Sequence, residues 1–520
     1  RMQGFIASMS EKIGAPLSVT SVDFDLAQWF RFQPAVALKG VTIGNPPGFP
    51  AKPPLLDANE ISAQVALVPL FQKRIEVRSI TVEKPRILVV SNSQGTTNVE
   101  TLIRKTSAAA KSGPGASDSG AGAEKAAAPA KLSISQISIT DGSLRVGGGQ
   151  PIEVQAIDIR LHDFSTDRPC RLEASVKLFG NRRSGLKIDS FAGPFTSDSL
   201  PLDGALSLVL APGEIPAAMR RERFGSLLGA PGEKGVITLE ATIKGDAYRT
   251  LSGPAKVTLA DIFIGKDAQH LLPLSGEVPA QVSIGELMSN PAIQITIDDA
   301  KLRLSKGEWS GKASIELSGS ATKGRSQGSI HNVDINELLS SFTESGDKLQ
   351  GTAEISSYSL QFTGKDAGAI RNSLRGSGKV ALSQGRVSAL DLLASLEKAL
   401  SRSQQEADAS KGATQFTTLN AGVNIGDARI QVNGLALDAP TLQARGNGVI
   451  GFDHSLSFDL TTEVGGNVAR IANQLLRSQS DRVTLPVKIS GTTDAPKVRP
   501  VVSKVAKERV KGFVKKLLRR

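Results

Sequence analysis

The stretch IEVQAIDIRL, residues 152–161, carries the spacing of apolar residues from which the fold follows. Its apolar positions are separated by two, three and two residues, at Ile152, Val154, Ile157 and Ile159. Alternation places one face of a β-strand in apolar surroundings, and a step of three keeps that face only where the strand bulges or turns. The stretch therefore predicts a bulged strand, or two flat hairpin strands joined by a short turn.

The same spacing occurs three more times. Its members are Val36, Leu38, Val41 and Ile43, then Ile75, Val77, Ile80 and Val82, then Leu132, Ile134, Ile137 and Ile139. Bulges bend and twist strands, so a sheet that is bent at matching positions curls over its own apolar face. The repeated spacing predicts a mainly β fold: a long curled antiparallel sheet with an open hydrophobic groove. Flat hairpins are the alternative.

The composition suits many short strands. Among 520 residues there are 51 Gly and 26 Pro, which mark turns, and aromatic residues make up only 4%, so the apolar surface is aliphatic. Asp141-Gly142 predicts a tight hairpin. Before the C-terminal twenty residues, helical spacing occurs in short segments at residues 2–14, 388–400 and 467–476.

Two stretches interrupt the strand patterns. Residues 106–131 are nearly all Ala, Gly, Ser, Pro and charged residues, which predicts a flexible linker, and the polar residues 401–413 predict a second exposed loop. The chain then divides into six segments: an N-terminal domain 1–105, the linker 106–131, a continuing β-sheet body 132–370, a C-terminal domain 371–465, a helix with terminal strands 466–500, and a basic amphipathic helix 501–520.

The last twenty residues hold most of the net charge. The formal net charge is +12, and residues 501–520 have eight Lys or Arg against one Glu, which gives +7. Helical spacing of apolar and basic residues there predicts an amphipathic helix that lies on an anionic membrane, or packs on the protein with a solvated basic face. The candidate membrane-surface residues are Val510, Lys511, Phe513, Val514, Lys515, Lys516, Leu517, Leu518, Arg519 and Arg520.

The sequence predicts no enzyme, no metal site, no cofactor and no nucleic-acid partner. Cys170 is the only cysteine, and the four histidines lack the paired spacing of a metalloprotease helix. GRSQG, residues 324–328, is expected to form a hairpin loop instead of a nucleophile elbow, and GNGVIG, residues 446–451, leads into a strand instead of a dinucleotide-binding helix. The Trp and Tyr residues are too scattered to form a stacking surface for bases.

Two parts of the sequence resemble the AsmA family of Gram-negative envelope proteins. Near the start these are PAVALKGVTIGNPPGF from Pro34, IEVRSITVEKPRILV from Ile75 and the turn GTTN at residues 95–98. Further along, LRGSGKVALSQGRVSALDLLASLEKAL from Leu374 and the segment 414–464 are similar to the C-terminal domain of the family, and this second match is the more specific.

The resemblance implies a periplasmic body held in the inner membrane by an N-terminal helix. Because the chain starts at Arg1, we expect that helix to be absent from it. The family's curled sheets with a greasy groove are implicated in phospholipid passage and outer-membrane assembly. The implied partners are phospholipids, the membrane surface, and outer-membrane proteins or their assembly machinery.

Inward-facing aliphatic residues would bind acyl chains at about 0.8 kcal/mol per buried methylene, without any catalytic group. The alternatives are that these residues fill a closed core, and that the protein is a scaffold that accepts a partner's strand at an unpaired sheet edge. The candidate groove residues are Val36, Leu38, Val41, Ile43, Ile75, Val77, Ile80, Val82, Ile157 and Ile159.

Overall fold

The computed structural model describes residues 2–25, 35–66, 77–92, 96–102, 133–147, 152–165, 167–180, 183–196, 199–217, 234–265, 267, 269–287, 291–319, 321–343, 346–388, 390–401, 407–476 and 479–501. These ranges contain 26 complete strands, which belong to one mixed sheet, and five complete α-helices. The prediction of a mainly β fold with a few short helices is confirmed. The C-terminal helix lies outside the described residues.

The strands are β1 Leu17–Ser18, β2 Ser21–Asp25, β3 Ala35–Ile43, β4 Leu56–Val65, β5 Val77–Glu83, β6 Arg86–Val89, β7 Ser133–Val146, β8 Ile152–Ser165, β9 Cys170–Leu178, β10 Gly185–Ala192, β11 Pro201–Leu210, β12 Val236–Asp246, β13 Thr250–Ile264, β14 Leu272–Gly285, β15 Ala292–Leu304, β16 Gly307–Leu317, β17 Thr322–Asp334, β18 Leu349–Gly364, β19 Arg375–Ser388, β20 Ala407–Asp408, β21 Ala413–Gly426, β22 Arg429–Ala439, β23 Leu442–Gly451, β24 Ser455–Val464, β25 Val483–Thr492 and β26 Pro496–Pro500. The helices are α1 Met2–Ile13, α2 Ile335–Phe342, α3 Ala367–Ser373, α4 Leu392–Ser401 and α5 Gly466–Leu476.

The chain forms two compact units. The first consists of Arg1–Glu214, Thr238–Ala255 and Val282–Pro291, and the second of Ile215–Ile237, Lys256–Gln281 and Ala292–Arg520. Strands β12, β13 and β14 contribute residues to both units.

In the first unit, β3 pairs with β1 and β2 on one side and with β4 on the other, and β4 pairs with β5 and β6. Strands β7 to β11 follow in order and are antiparallel. The predicted antiparallel sheet is mixed at one place, because β7 runs parallel to both β5 and β6. Parallel neighbours need a connection of a dozen or more residues, and the sequence between β6 and β7, residues 90–132, is long enough.

Each of the four steps of three residues lies inside one continuous strand, so the alternative of flat hairpins is wrong here. The register shifts at the steps in β5 and β8, and Gly40 at the step in β3 has φ at +57°. In β8 the register shifts between Gln155 and Asp158, around Ala156 with φ at +46°. The step from Ile134 to Ile137 in β7 keeps its register and is not a bulge.

The predicted hairpin at Asp141-Gly142 is also wrong, because β7 runs through both residues and Asp141 sits in a bulge with φ at +51°. Asp tolerates left-handed backbone in bulges as well as in turns, so its presence does not distinguish the two.

In the second unit, β15 to β19 pair in order, and β19 continues through β21 to β26, all antiparallel. The segment GRSQG, residues 324–328, lies inside β17 and pairs along both edges. It is therefore neither a hairpin loop, as predicted, nor a nucleophile elbow. Its glycines leave room for the ring of Phe362, which lies against Gly324.

Helices α4 and α5 cover the apolar core of the second unit. Leu396, Val468 and Ala472 are buried there against strand residues such as Leu442 and Leu485. The helix predicted at 467–476 is confirmed. The helix predicted at 388–400 begins only at Leu392, where the Asp391 carboxylate accepts the N–H of Ala394 at 3.0 Å.

Two features of the second unit were not predicted. Helices α2 and α3 begin after Asp334 and Asp366, whose side chains accept N–H groups of the first helical turn. These N-cap residues were a signal in the sequence. The segment 401–413, predicted as an exposed loop, includes β20, which pairs with β26.

Candidate functional site

An unbroken row of apolar residues crosses nine strands of the first unit. Residues that pair directly across neighbouring strands lie on the same face of a sheet. Following the pairs from β2 to β11 gives Val22, Leu38, Ile61, Val82, Ile139, Ile159, Ala174, Ile188 and Leu206. One face of this unit is thus apolar from its edge strand to β11.

Two further rows widen this apolar face. The second row consists of Phe24, Val36, Ala63, Ile80, Ile137, Leu161 and Leu172, and ends at Ser190 and Gly204. The third row crosses the sheet beyond the bulges and consists of Leu17, Ile43, Leu56, Ile87, Leu144, Val154 and Leu178. The three rows together are the surface that we call the apolar face.

The residues between these rows point to the other side, which is polar. There Lys39 Nζ lies 2.6 Å from a carboxylate oxygen of Asp23. The hydroxyl groups of Thr81 and Ser138 are 3.0 Å apart. The first unit therefore has one apolar and one polar face, as the alternating strands predict.

Six of the predicted groove residues lie in the rows of the apolar face and are partly exposed, namely Val36, Leu38, Ile43, Ile80, Val82 and Ile159. Val77 and Ile157 are also partly exposed, but they lie at register shifts outside the three rows. Val41 is buried, with 3% of its surface exposed, and Ile75 lies outside the described residues. The pairing adds Ile61, Ile139, Leu144, Leu161 and Leu172, which were not among the candidate groove residues. Ile139 belonged to the repeated spacing, but the strand partners that place it in a row cannot be read from spacing.

The apolar face is more deeply buried at β10 and β11. Ala192, Leu202 and Leu206 are 1%, 6% and 8% exposed. The hydroxyl of Ser190 is buried there and has no hydrogen-bond partner in the described part of the chain. The partly exposed stretch thus runs from β2 to β9.

A buried pair of amides joins two of the segments that carried the family resemblance. Asn98 donates to Asn45 Oδ1 at 2.7 Å, and Asn45 donates to the carbonyls of Pro50 and Pro53 at 2.7 and 2.9 Å. Asn98 Oδ1 accepts the N–H of Val90 at 3.1 Å. These bonds fix the loop after β3 beside the end of β6, at the rim of the apolar face.

The described residues contain no cluster of His, Cys, Asp and Glu that could hold a metal ion. Cys170 is buried, and burial raises the pKa of its thiol. None of the helices described is long and apolar enough to span a bilayer. The candidate membrane-surface residues at 510–520 lie outside the described residues.

Comparison with known proteins identifies the family. The AsmA family matches residues 11–178 and 287–435, and the first range contains the apolar face from β1 to β9. No curated protein and no solved structure matches the chain. Because the two matched ranges cover more than half of the 520 residues, the chain belongs to the AsmA family, a family of bacterial envelope proteins.

Proposed function

We propose that the protein binds acyl chains of phospholipids on the apolar face of its first unit and conducts or shuttles them along it, in support of outer-membrane assembly. The observation that carries this proposal is that three apolar rows cross up to nine strands while most of their predicted members stay partly exposed. A closed core would bury them. The family supports a periplasmic body held at the inner membrane.

The chemistry of the face suits a ligand that slides. Aliphatic side chains bind by contact area, at about 25 cal/mol per Å², without directional bonds that would hold one headgroup in place. At about 4.8 Å between strands, nine strands extend the rows over about 40 Å. An acyl chain spans half of the hydrocarbon core of a bilayer, about 15 Å, so successive positions are available along one row. No catalytic group is needed.

Native mass spectrometry with lipidomics on protein purified from cells tests the proposal. We expect phospholipids to co-purify with the wild-type protein and to be lost from the Ile80→Asp, Val82→Asp double variant, because carboxylates in two rows disfavour acyl chains. Ser79→Asp is the matched control, since Ser79 lies beside Ile80 on the polar face. It should retain the lipids.

Two results would contradict the proposal. A folded wild-type protein without bound lipid would leave the apolar face without its ligand. Unfolding of the double variant, with Ser79→Asp stable, would show that Ile80 and Val82 fill a closed core.

A scaffold role is the second candidate, and one observation favours it. Edge strand β2 pairs with β3, and no strand of the described ranges pairs with its other side. Phe24 on this strand is 65% exposed. An unpaired edge accepts a strand from another protein. A photocrosslinker at Phe24 separates the two functions, because lipid adducts support the conduit and outer-membrane protein adducts support the scaffold.

A further inference from the structure

The polar face of the first unit carries a furrow that the lipid proposal does not use. Two cavities of about 500 and 1020 Å³ lie along strands β9 to β13 and share Asp189. Lys187, Asp189 and Phe191 are alternate residues of β10, and they pair with Ser207, Ala205 and Asp203 of β11. We call the surface formed by these six residues, with Arg171, Glu240 and Lys244, the polar furrow.

An exposed aromatic ring lies at one end of the polar furrow. Phe191 is 61% exposed, although its cross-strand neighbours Arg171 and Asp203 are charged. The face of a phenyl ring is electronegative and attracts the electropositive edge of a C–H group. A ring in this position can stack against a ligand that presents a face of C–H groups and is otherwise hydrophilic.

The polar furrow carries charges of both signs in nearly equal number. Arg171, Lys187 and Lys244 lie with Asp189, Asp203 and Glu240, and Glu173 on β9, opposite Asp189, borders them. Arg171 pairs with Asp189 at 3.0 Å and with Glu173 at 3.1 Å, and Lys244 pairs with Asp203 at 2.9 Å. An anionic ligand finds no excess of cations here, whereas a neutral ligand with both donors and acceptors finds partners of both kinds.

We propose that the polar furrow binds a neutral oligosaccharide. Sugar rings combine a face of C–H groups, which would stack on Phe191, with hydroxyls that donate to the carboxylates and accept from Arg171 and the lysines. Ala205 of β11 pairs with Asp189, which lies between Lys187 and Phe191 on this face of β10. Because the side chain of Ala205 is small, it leaves space along the furrow. Two adjoining cavities that share Asp189 suit a ligand of more than one sugar unit.

Calorimetric titration of the full chain with chitotetraose, cellotetraose and maltotetraose tests this inference. We expect at least one of them to bind, Phe191→Ala to weaken that binding by about tenfold, in line with the loss of one aromatic contact, and Phe191→Trp to retain it. Phe24→Ala is the matched control, because Phe24 is similarly exposed but lies on the apolar face. It should bind as the wild type does.

Three results would overturn the inference. The first is no binding of any of the three sugars at millimolar concentration by protein with a wild-type circular dichroism spectrum. The second is equal weakening by Phe24→Ala and Phe191→Ala. The third is binding of glycerophosphoethanolamine at the furrow in place of the sugars, which would assign it to a zwitterionic lipid headgroup. Because the furrow and the apolar face are on opposite sides of the sheet, loss of lipid binding would not affect these results.

Discussion

The side chain of Glu214 in the first unit is charged although only 6% of it is exposed. Its carboxylate accepts the N–H groups of Arg183 at 3.0 Å and Ser184 at 2.9 Å. These bonds fasten the turn between β9 and β10 to the end of β11. Burial alone would raise the pKa of Glu214, but these hydrogen bonds outweigh burial and lower the pKa below its ordinary value. Folding therefore favours the ionised carboxylate.

The sign of the pH dependence follows. A lowered pKa in the folded state stabilises the protein above the unfolded pKa of about 4.3, and this contribution is lost as the pH falls through the folded pKa. We expect Glu214→Gln to cost about 1–3 kcal/mol at neutral pH and much less in acid. Urea unfolding at both pH values measures the difference. Asp459→Asn, at a side chain that is 75% exposed, should have little effect. A cost of Glu214→Gln that does not change with pH would contradict the assignment.

At the scale of the strand, three bulges are each stabilised by a side-chain oxygen on the neighbouring strand, which accepts a backbone N–H of the bulge. Asp158 accepts the N–H of Asp141 at 3.1 Å, Glu354 that of Asn332 at 2.9 Å, and Asn447 that of Gly434 at 2.8 Å. The three donors have φ between +51° and +58°. Each acceptor satisfies an N–H that the bulge removes from the strand ladder.

We expect Asn447→Ala to release the Gly434 N–H and to destabilise the bulge by about 1 kcal/mol. Hydrogen exchange measured by mass spectrometry should then be faster in β22 and unchanged in β7. Asn447→Asp keeps an acceptor oxygen and should exchange as the wild type does. Equal exchange in all three proteins would show that the side chain does not hold the bulge.

At the scale of the whole molecule, the two units treat their apolar residues differently. In the second unit, α4 and α5 cover them, and Leu396 is 0% exposed. In the first unit, Ile61 lies in the middle of an apolar row and stays partly exposed. We expect Leu396→Ala to cost about 2–5 kcal/mol, because it leaves a cavity, and Ile61→Ala about 1 kcal/mol, because little burial is lost. Hydrogen exchange resolved by unit measures both, and similar costs would argue for a closed core in the first unit.

Much of this architecture could be predicted from the spacing of apolar residues. The strands that carry Val36, Ile80 and Ile157 were predicted, and so was the helix at 467–476. The parallel pairing of β7 could not be predicted, because a long segment without strand spacing separates β7 from β6. The hairpin at Asp141 was mispredicted because a bulge uses the same residues as a turn.

The candidate site was predicted in part. Spacing placed Ile80 and Val82 on one face of a strand, because side chains alternate every two residues whatever the strand pairs with. It could not show that Ile61 and Ile139 continue the row of Val82, since these contacts depend on register between distant segments. Phe191 was missed for a similar reason, because an isolated aromatic residue in a strand carries no signal of its exposure.

Local periodicity in the sequence determines which residues of each regular stretch of strand share a face and that the chain is mainly β. Strand partners and burial come from contacts between segments far apart in the chain, which periodicity does not encode. Those contacts place Val22 to Leu206 in one row, leave most of the first unit's row partly exposed, and bring α4 and α5 over the core of the second unit. Whether an apolar residue lines an open face or fills a core depends on what packs against it, and that is a property of the folded chain.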